Sequence, residues 1–437
     1  MSDNVREVVF DSLMLIFEEN FKSHLVIRDV LSKYDYWENV DKSLYKRLTE
    51  GSVDKALTLD FCIEKFTNKP VLKLKPEIRQ ILRLGAYQIL FMDKIPLWAL
   101  VDECVKLVKK RSRKEFAGFV NAVLRKIADN KDSLLDFSEI EDLSKRLSLT
   151  YSLPEWIVKL FIKENDDPED LIRALVKERE TCVRIKPEEK EKILGLFDNE
   201  KIEYRESSLL ENVYLIRNFK GAKKLPGFEE GFLYFQDESS MMAVKKAFEY
   251  LDKSSPLILD VCAAPGGKSI FMSELLKGKG LIKAFDVSEN KADLIRENIE
   301  RLGIENISVF VKDARKEDKE LINSADMVIL DLPCSGLGVL SRKKDIKYKL
   351  SNEALRDISN LQREIIQNVK NYVKEGGYLS YSTCTIHKAE NEKMVKFILK
   401  EGDFECEYIH QFLPNVEGSD GFFLAILKKG VKLKREL

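Results

Sequence analysis

Two cysteines stand where chemistry is to be expected. Cys334 follows the apolar run Ile329-Leu330-Asp331-Leu332-Pro333, and Cys384 follows Ser380-Tyr381-Ser382-Thr383. If both runs are strands of one parallel sheet, the two thiols meet at its carboxyl edge, although they lie far apart in the chain. A thiolate there can add to carbon 6 of a pyrimidine and turn the ring into an enamine whose carbon 5 attacks an electrophilic methyl group. Protonation of ring nitrogen 3 should accompany the addition, and Asp331, close to Cys334, is the expected donor, kept protonated by burial. After methyl transfer the carbon 5 proton must leave before the thiol is eliminated, and the second cysteine, or a water that it positions, could assist. The residues alone do not say which cysteine attacks. Enzymes that methylate exocyclic amines place Asn or Asp, two prolines and an aromatic at this strand end; one proline, a thiol and a serine point away from that chemistry.

The methyl donor has its own candidate site. The first strand of its zone runs into Asp260-Val261-Cys262-Ala263-Ala264-Pro265-Gly266-Gly267-Lys268-Ser269, where small residues and two glycines let the backbone approach a ligand before a helix begins. The turn lacks the G-x-G-x-x-G of dinucleotide sites, which argues against NAD and FAD. Asp286 ends the next strand and is placed to accept both ribose hydroxyls. Asp313 ends the third and is placed to accept from the adenine amine. Asp is a common turn former and helix cap, but three at successive strand ends beside such a loop fit S-adenosylmethionine, which offers a ribose and an adenine without a phosphate.

The elements that must position these residues fall into three zones. Residues 1–130 show helical spacing, as at Val5, Val9, Leu13, Ile16 and Phe17, and predict an all-α bundle with helices over Pro76–Met92, Leu97–Arg113 and Phe116–Ile127. Residues 131–235 mix helical pieces (Pro154–Lys163, Pro168–Lys177) with β-rich stretches (Cys182–Ile185, Val213–Ile216), a small α/β module. Residues 236–437 alternate strand and helix, the pattern of a doubly wound, Rossmann-like α/β domain. Strands are predicted at Leu257–Val261, Leu281–Phe285, Ile307–Val311, Met327–Leu330 and Tyr378–Tyr381. An antiparallel pair at Glu405–Ile409 and Phe422–Leu427 completes a seven-stranded sheet, whose carboxyl edge is where ligands bind in such folds.

Composition narrows the function classes. The 437 residues suffice for several domains, and 73 Lys+Arg against 74 Asp+Glu give a net charge of -1, so any nucleic-acid surface is local. Seven scattered cysteines without CxxC pairs fit neither a disulfide framework nor a zinc site; no metal is expected, and reduced thiols in a cytoplasm are. Cys62, Cys104, Cys182 and Cys406 read as buried small hydrophobes. No run of 18 apolar residues occurs, so neither export nor membrane insertion is expected. The wealth of Lys and Glu leans towards a thermophile.

The longer motifs carry a resemblance. The carboxyl-terminal zone resembles the RNA 5-methylcytosine methyltransferases of the Sun (RsmB) family in its CAAPGGK loop, DVSENK, Asp313-Ala314, DLPCSGLG and YSTCT followed by ENE. The helical zone is similar to the NusB antitermination domain through Leu82-Arg83-Leu84-Gly85-Ala86-Tyr87-Gln88 and Phe119-Val120-Asn121-Ala122-Val123-Leu124-Arg125. The resemblance implies a class I methyltransferase fold and methylation of carbon 5 of a cytosine in 16S ribosomal RNA. It implies Cys384 as the nucleophile, with Cys334 helping release. It further implies cofactor contacts from Cys262, Ala263, Ala264, Pro265, Gly266, Gly267 and Lys268 and from Asp286, Asp313 and Asp331. The chain departs from the family at Leu337, where Thr is usual, and over Ser341–Tyr348, which lacks the usual His and Pro.

A target cytosine must be unstacked, which is easiest in a loop or bulge. Arg342, Lys343, Lys344, Lys347 and Lys349, and the run Lys109–Lys114, are candidates to carry its phosphates, although charge runs are often plain solvated surface. The tail from Lys428 to Arg435 reads as frayed. A monomer is expected. Competing readings are a small-molecule methyltransferase, another RNA or DNA cytosine-5 methyltransferase (with the PC cysteine as nucleophile in the DNA case), and an RNA-binding antitermination factor with a vestigial methyltransferase domain.

Overall fold

The computed structural model describes residues 4–93, 95–251 and 255–431; the end of the tail expected to fray lies outside them. The chain divides into two compact units, one of residues 1–176 with 340–349, the other of residues 177–339 with 350–437.

The first unit is helical. Its first helix, Val5–Phe17, is capped by the Asn4 side chain, which accepts from the Arg6 amide, and it buries Val9, Leu13 and Ile16. Pro76 begins the helix Pro76–Phe91, where its missing N–H costs nothing, and this helix is buried along most of its length. The helices expected after it run over Leu97–Arg111 and Ala117–Asp129. The small α/β module expected over 131–235 is not one body. Helices Leu143–Tyr151, Glu155–Glu164 and Pro168–Val176 belong to the first unit, where the Thr58 hydroxyl donates to the Leu149 carbonyl at 2.6 Å. Their apolar stripes, such as Leu171, Ile172 and Leu175, need a helical partner and have one there.

The second unit carries two sheets. Strands β1 (Thr181–Ile185), β2 (Glu203–Glu206), β3 (Val213–Arg217) and β4 (Leu233–Phe235) form an antiparallel sheet of order β2-β3-β1-β4. The larger sheet has β5 (Leu257–Asp260), β6 (Leu281–Asp286), β7 (Ile307–Val311), β8 (Ala325–Asp331), β9 (Val373–Thr383), β10 (Phe404–Phe412) and β11 (Phe422–Lys429) in the order β10-β11-β9-β8-β5-β6-β7. Strands β5 to β9 run parallel, and β11 pairs antiparallel with β9 and β10, as expected. The chain builds outwards through β6 and β7, then returns to place β8 on the other side of β5. That reversal opens a crevice between the loops after β5 and β8, where the candidate residues lie.

Candidate active site

The loop after β5 turns through Gly266 at φ +102°, a conformation that favours glycine, and starts the helix Gly267–Leu275. Asp260 is fully buried beneath it. One oxygen accepts from Ser269 Oγ at 2.7 Å, the other has no partner, and burial pushes the carboxyl up to about 7. Asp286, also buried, accepts from the amides of Ala264 (3.1 Å) and Val287 (2.7 Å) and pairs with Lys291 at 3.0 Å. It thus ties the loop after β5 to the end of β6. Asp313 is gripped by Arg315, whose hydrogen bonds, above all, hold its carboxyl down at about 2. Cys262 is a neutral thiol, pushed above its ordinary range by burial first and by Asp286 next.

Asp331, at the end of β8, differs from expectation. It is not fully buried: its side chain is 31% exposed, and one oxygen is ion-paired to Lys268 Nζ at 2.6 Å while the other accepts from Ser382 Oγ at 3.0 Å. Lys268, in the first turn of the helix Gly267–Leu275, places its positive charge beside this carboxyl. Burial opposes the charge on Lys268, but Asp331 and Asp260 outweigh it and raise the ammonium above its ordinary value.

The two cysteines converge. Cys334 Sγ and Cys384 Sγ are 3.2 Å apart, at the ends of adjacent parallel strands. The hydrogen bond with Cys384 is the largest cause holding the Cys334 thiol well above its ordinary range, followed by burial. Around them lies a polar frame: Ser335 Oγ meets Thr385 Oγ1 at 2.8 Å, Thr383 Oγ1 donates to Asn391 Oδ1 at 2.6 Å, and Glu390 accepts from the Ser335 amide at 2.8 Å. Gln362 Nε2 donates to the Pro333 carbonyl at 2.9 Å and to Glu390 at 3.3 Å. Gln362, Glu390 and Asn391 are fully buried, and no role was expected for them. Gln362 had a signal: it sits on the stripe Leu355, Ser359, Gln362, Ile366, Val369 of the helix Asn352–Val369, a long polar side chain on a face that packs inwards. Leu337, the departure from the usual Thr, is also fully buried and so belongs to the core of this loop.

Other expectations change. Lys347 is 1% exposed and paired with Asp54 in the first unit, Lys349 donates to the carbonyls of Asn20 and Phe21, and Lys344 pairs with Glu50. The segment 340–349 folds into the helical unit, so these three lysines hold protein rather than present a row of free cations. In the run Lys109–Lys114, Lys110 and Arg111 pair with Glu7 and Asp11. Cys62, Cys104 and Cys182 are buried, with burial pushing the first two thiols to about 11 and about 12, but Cys406, on the edge strand β10, is exposed. Among the described residues no group of His, Cys, Asp and Glu could hold a metal, and no helix is long and apolar enough to cross a membrane.

A parallel sheet reversed at β5, with a glycine-turned loop and buried carboxylates at its carboxyl edge, has the architecture of the Rossmann-like class I methyltransferases. Residues 250–428 match the family described as 16S rRNA methyltransferase RsmB/F, and residues 3–129 match the NusB family. The chain is 33% identical to the probable ribosomal RNA small subunit methyltransferase B of Bacillus subtilis (strain 168), over 98% of this chain and 99% of that one. It is 28% identical to ribosomal RNA small subunit methyltransferase B of Proteus mirabilis (strain HI4320), with 98% and 99% covered. The crystal structure of PH0851 superposes with a TM-score of 0.82 at 25% identity, covering 98% of this chain and all of that one. The chain belongs to the family of the ribosomal RNA small subunit methyltransferases B.

Proposed function

We propose that this protein transfers a methyl group from S-adenosylmethionine to carbon 5 of a cytosine in 16S ribosomal RNA, with Cys384 as the nucleophile that adds to carbon 6. The observation that carries the reading is the 3.2 Å apposition of Cys334 and Cys384 beside the Lys268–Asp331 pair, at the carboxyl edge of the sheet.

The crevice suits the donor. Asp286 offers a carboxylate for ribose hydroxyls, and Cys262 to Lys268 form a small-residue wall for its backbone to line. Asp313 is a candidate for the adenine amine once shared with Arg315. Bound there, S-adenosylmethionine would supply its methyl group as an electrophile. The chain's own residues do the rest. Cys384 gives its sulfur to carbon 6 while Cys334 keeps its proton. The proton that ring nitrogen 3 needs is held on Lys268 and reaches the base through Asp331. Once carbon 5 has taken the methyl group, a water positioned by Cys334 carries the carbon 5 proton to solvent, the carbon–sulfur bond breaks to return the Cys384 thiolate, and nitrogen 3 gives its proton back through Asp331 to Lys268. A cytosine in a loop or bulge of the RNA can enter, and the NusB-like unit offers a second surface for flanking RNA. We infer a cytoplasmic monomer.

Incubation with tritiated S-adenosylmethionine and unmodified 16S RNA, followed by nucleoside mass spectrometry, tests the reading. Label in 5-methylcytosine at one position is expected. Label in another nucleoside, or none on RNA or on small subunits, would overturn it.

A further inference from the structure

The thiol pair sits in an asymmetric surround. Lys268, ion-paired with Asp331, acts on Cys384, whereas Asp331 itself acts on Cys334. Glu390 lies on the side of Cys334. Its Oε2 accepts from the amide of Ser335, the residue that follows Cys334, and from Gln362, while its Oε1 is buried without a partner. Burial raises the Glu390 carboxyl above its ordinary value, and the two N–H donors on one oxygen oppose that shift. The titratable groups that face Cys334 are Cys384, Glu390 and Asp331. Those that face Glu390 include Cys334, His387 and Tyr381, whose hydroxyl also donates to the Glu390 carbonyl.

Two like thiols in contact share one problem: after the first proton leaves, either sulfur can hold the charge. A carboxylate beside one and an ammonium beside the other remove the degeneracy, since the charge moves away from the first and towards the second. We propose that Glu390 is a positioning residue that decides which of the two sulfurs is reactive, fixing the loop of Cys334 through the Ser335 amide and directing the negative charge to Cys384. Nothing in the described mechanism uses Glu390 directly, because it is fully buried and touches no reacting atom. The proposal rests on the reading that one of these thiols is a nucleophile, but it can be tested without RNA.

Brief alkylation of the folded, full-length protein with iodoacetamide at neutral pH, followed by peptide mass spectrometry, gives the ratio of label at Cys384 to label at Cys334. Exposed Cys406 serves as the reference and buried Cys104 as the check on folding. In the unaltered protein Cys384 should be labelled at least about tenfold faster, equivalent to one unit of difference between the two thiols. Glu390→Gln keeps an acceptor for the Ser335 amide and removes the charge; the ratio should fall about tenfold, with Cys406 labelling unchanged. Gln362→Leu removes a hydrogen bond to the same oxygen but leaves the charge, and should move the ratio far less. A ratio near one in the unaltered protein overturns the proposal even if the glutamine variant fails to fold. So does an unchanged ratio in Glu390→Gln, or an equal change in Gln362→Leu, which would mark a loosened loop as the cause. Failure of methylation on RNA with this labelling pattern intact would count against the RNA reading and not against Glu390.

Discussion

The Lys347 ammonium donates to the Asp54 carboxylate at 2.8 Å, joining residues 293 positions apart in the chain. A second bond of 2.8 Å runs to the Asp54 carbonyl, and the neighbouring Tyr348 hydroxyl reaches the same carbonyl at 3.0 Å. Burial alone would raise the Asp54 carboxyl, but Lys347 and Lys55 outweigh it and hold it below its ordinary value. The segment that follows the Cys334 loop is thereby anchored in the helical unit before the chain returns to the second unit at Leu350. Lys347→Met should leave Asp54 without its main counter-ion and destabilise that unit by about 3 kcal/mol. Urea unfolding followed by circular dichroism measures it. Adding Asp54→Asn should recover part of the loss; a single-variant cost below about 1 kcal/mol would mean that the pair is no more than a surface contact.

This anchor shows where sequence reading stops. The parallel strands of the large sheet were legible because each is a largely apolar run with a carboxylate or a thiol at or just past its end, and Leu281, Ile307 and, in the antiparallel pair, Phe422 begin strands where expected. The convergence of Cys334 and Cys384 followed from that topology. Lys347, in contrast, sits in a basic run that reads as solvated, and only the fold shows that Asp54 meets it. Cys406 reads as one more small hydrophobe, yet its strand is at an edge. Glu390 lies six residues past Cys384, but nothing local shows that its carboxyl turns back to the Ser335 amide.

Gly338 links the two cysteine loops. Its amide donates to the Cys384 carbonyl at 3.1 Å and its carbonyl accepts from the Gly421 amide at 2.9 Å. A Cβ on Gly338 would stand 1.9 Å from the Gly421 carbonyl oxygen and 2.9 Å from that of Cys384, both backbone atoms that cannot swing aside. Gly338→Ala should therefore shift the Cys384 loop and lower kcat by about a hundredfold, because a small misplacement of a reacting group costs that much. S-adenosylmethionine affinity should change little. Calorimetric titration and single-turnover kinetics separate the two, and an unaltered kcat would show that the loops tolerate the shift.

The buried Asp260 makes stability depend on pH. Its folded value of about 7 lies above the usual unfolded value of about 3.9. Below the lower value both states hold the proton. Between the two the unfolded chain has released a proton that the folded protein retains, so this group's contribution is lost as pH rises towards 7. Asp260→Asn keeps an acceptor for Ser269 and cannot ionise. Its stability relative to the unaltered protein should grow from pH 4 to pH 7, as read from urea midpoints. Parallel curves would show that Asp260 titrates alike in both states.

The central claim concerns the covalent step, and the most direct measurement is the trapping of protein on RNA. Cys334→Ala and Cys384→Ala variants are incubated with 16S RNA and S-adenosylmethionine, denatured, and resolved on a gel with labelled RNA. The account predicts that Cys334→Ala accumulates a denaturation-resistant RNA complex because release is slowed, while Cys384→Ala forms neither complex nor product. A complex retained by Cys384→Ala and lost by Cys334→Ala would contradict it and exchange the roles of the two sulfurs.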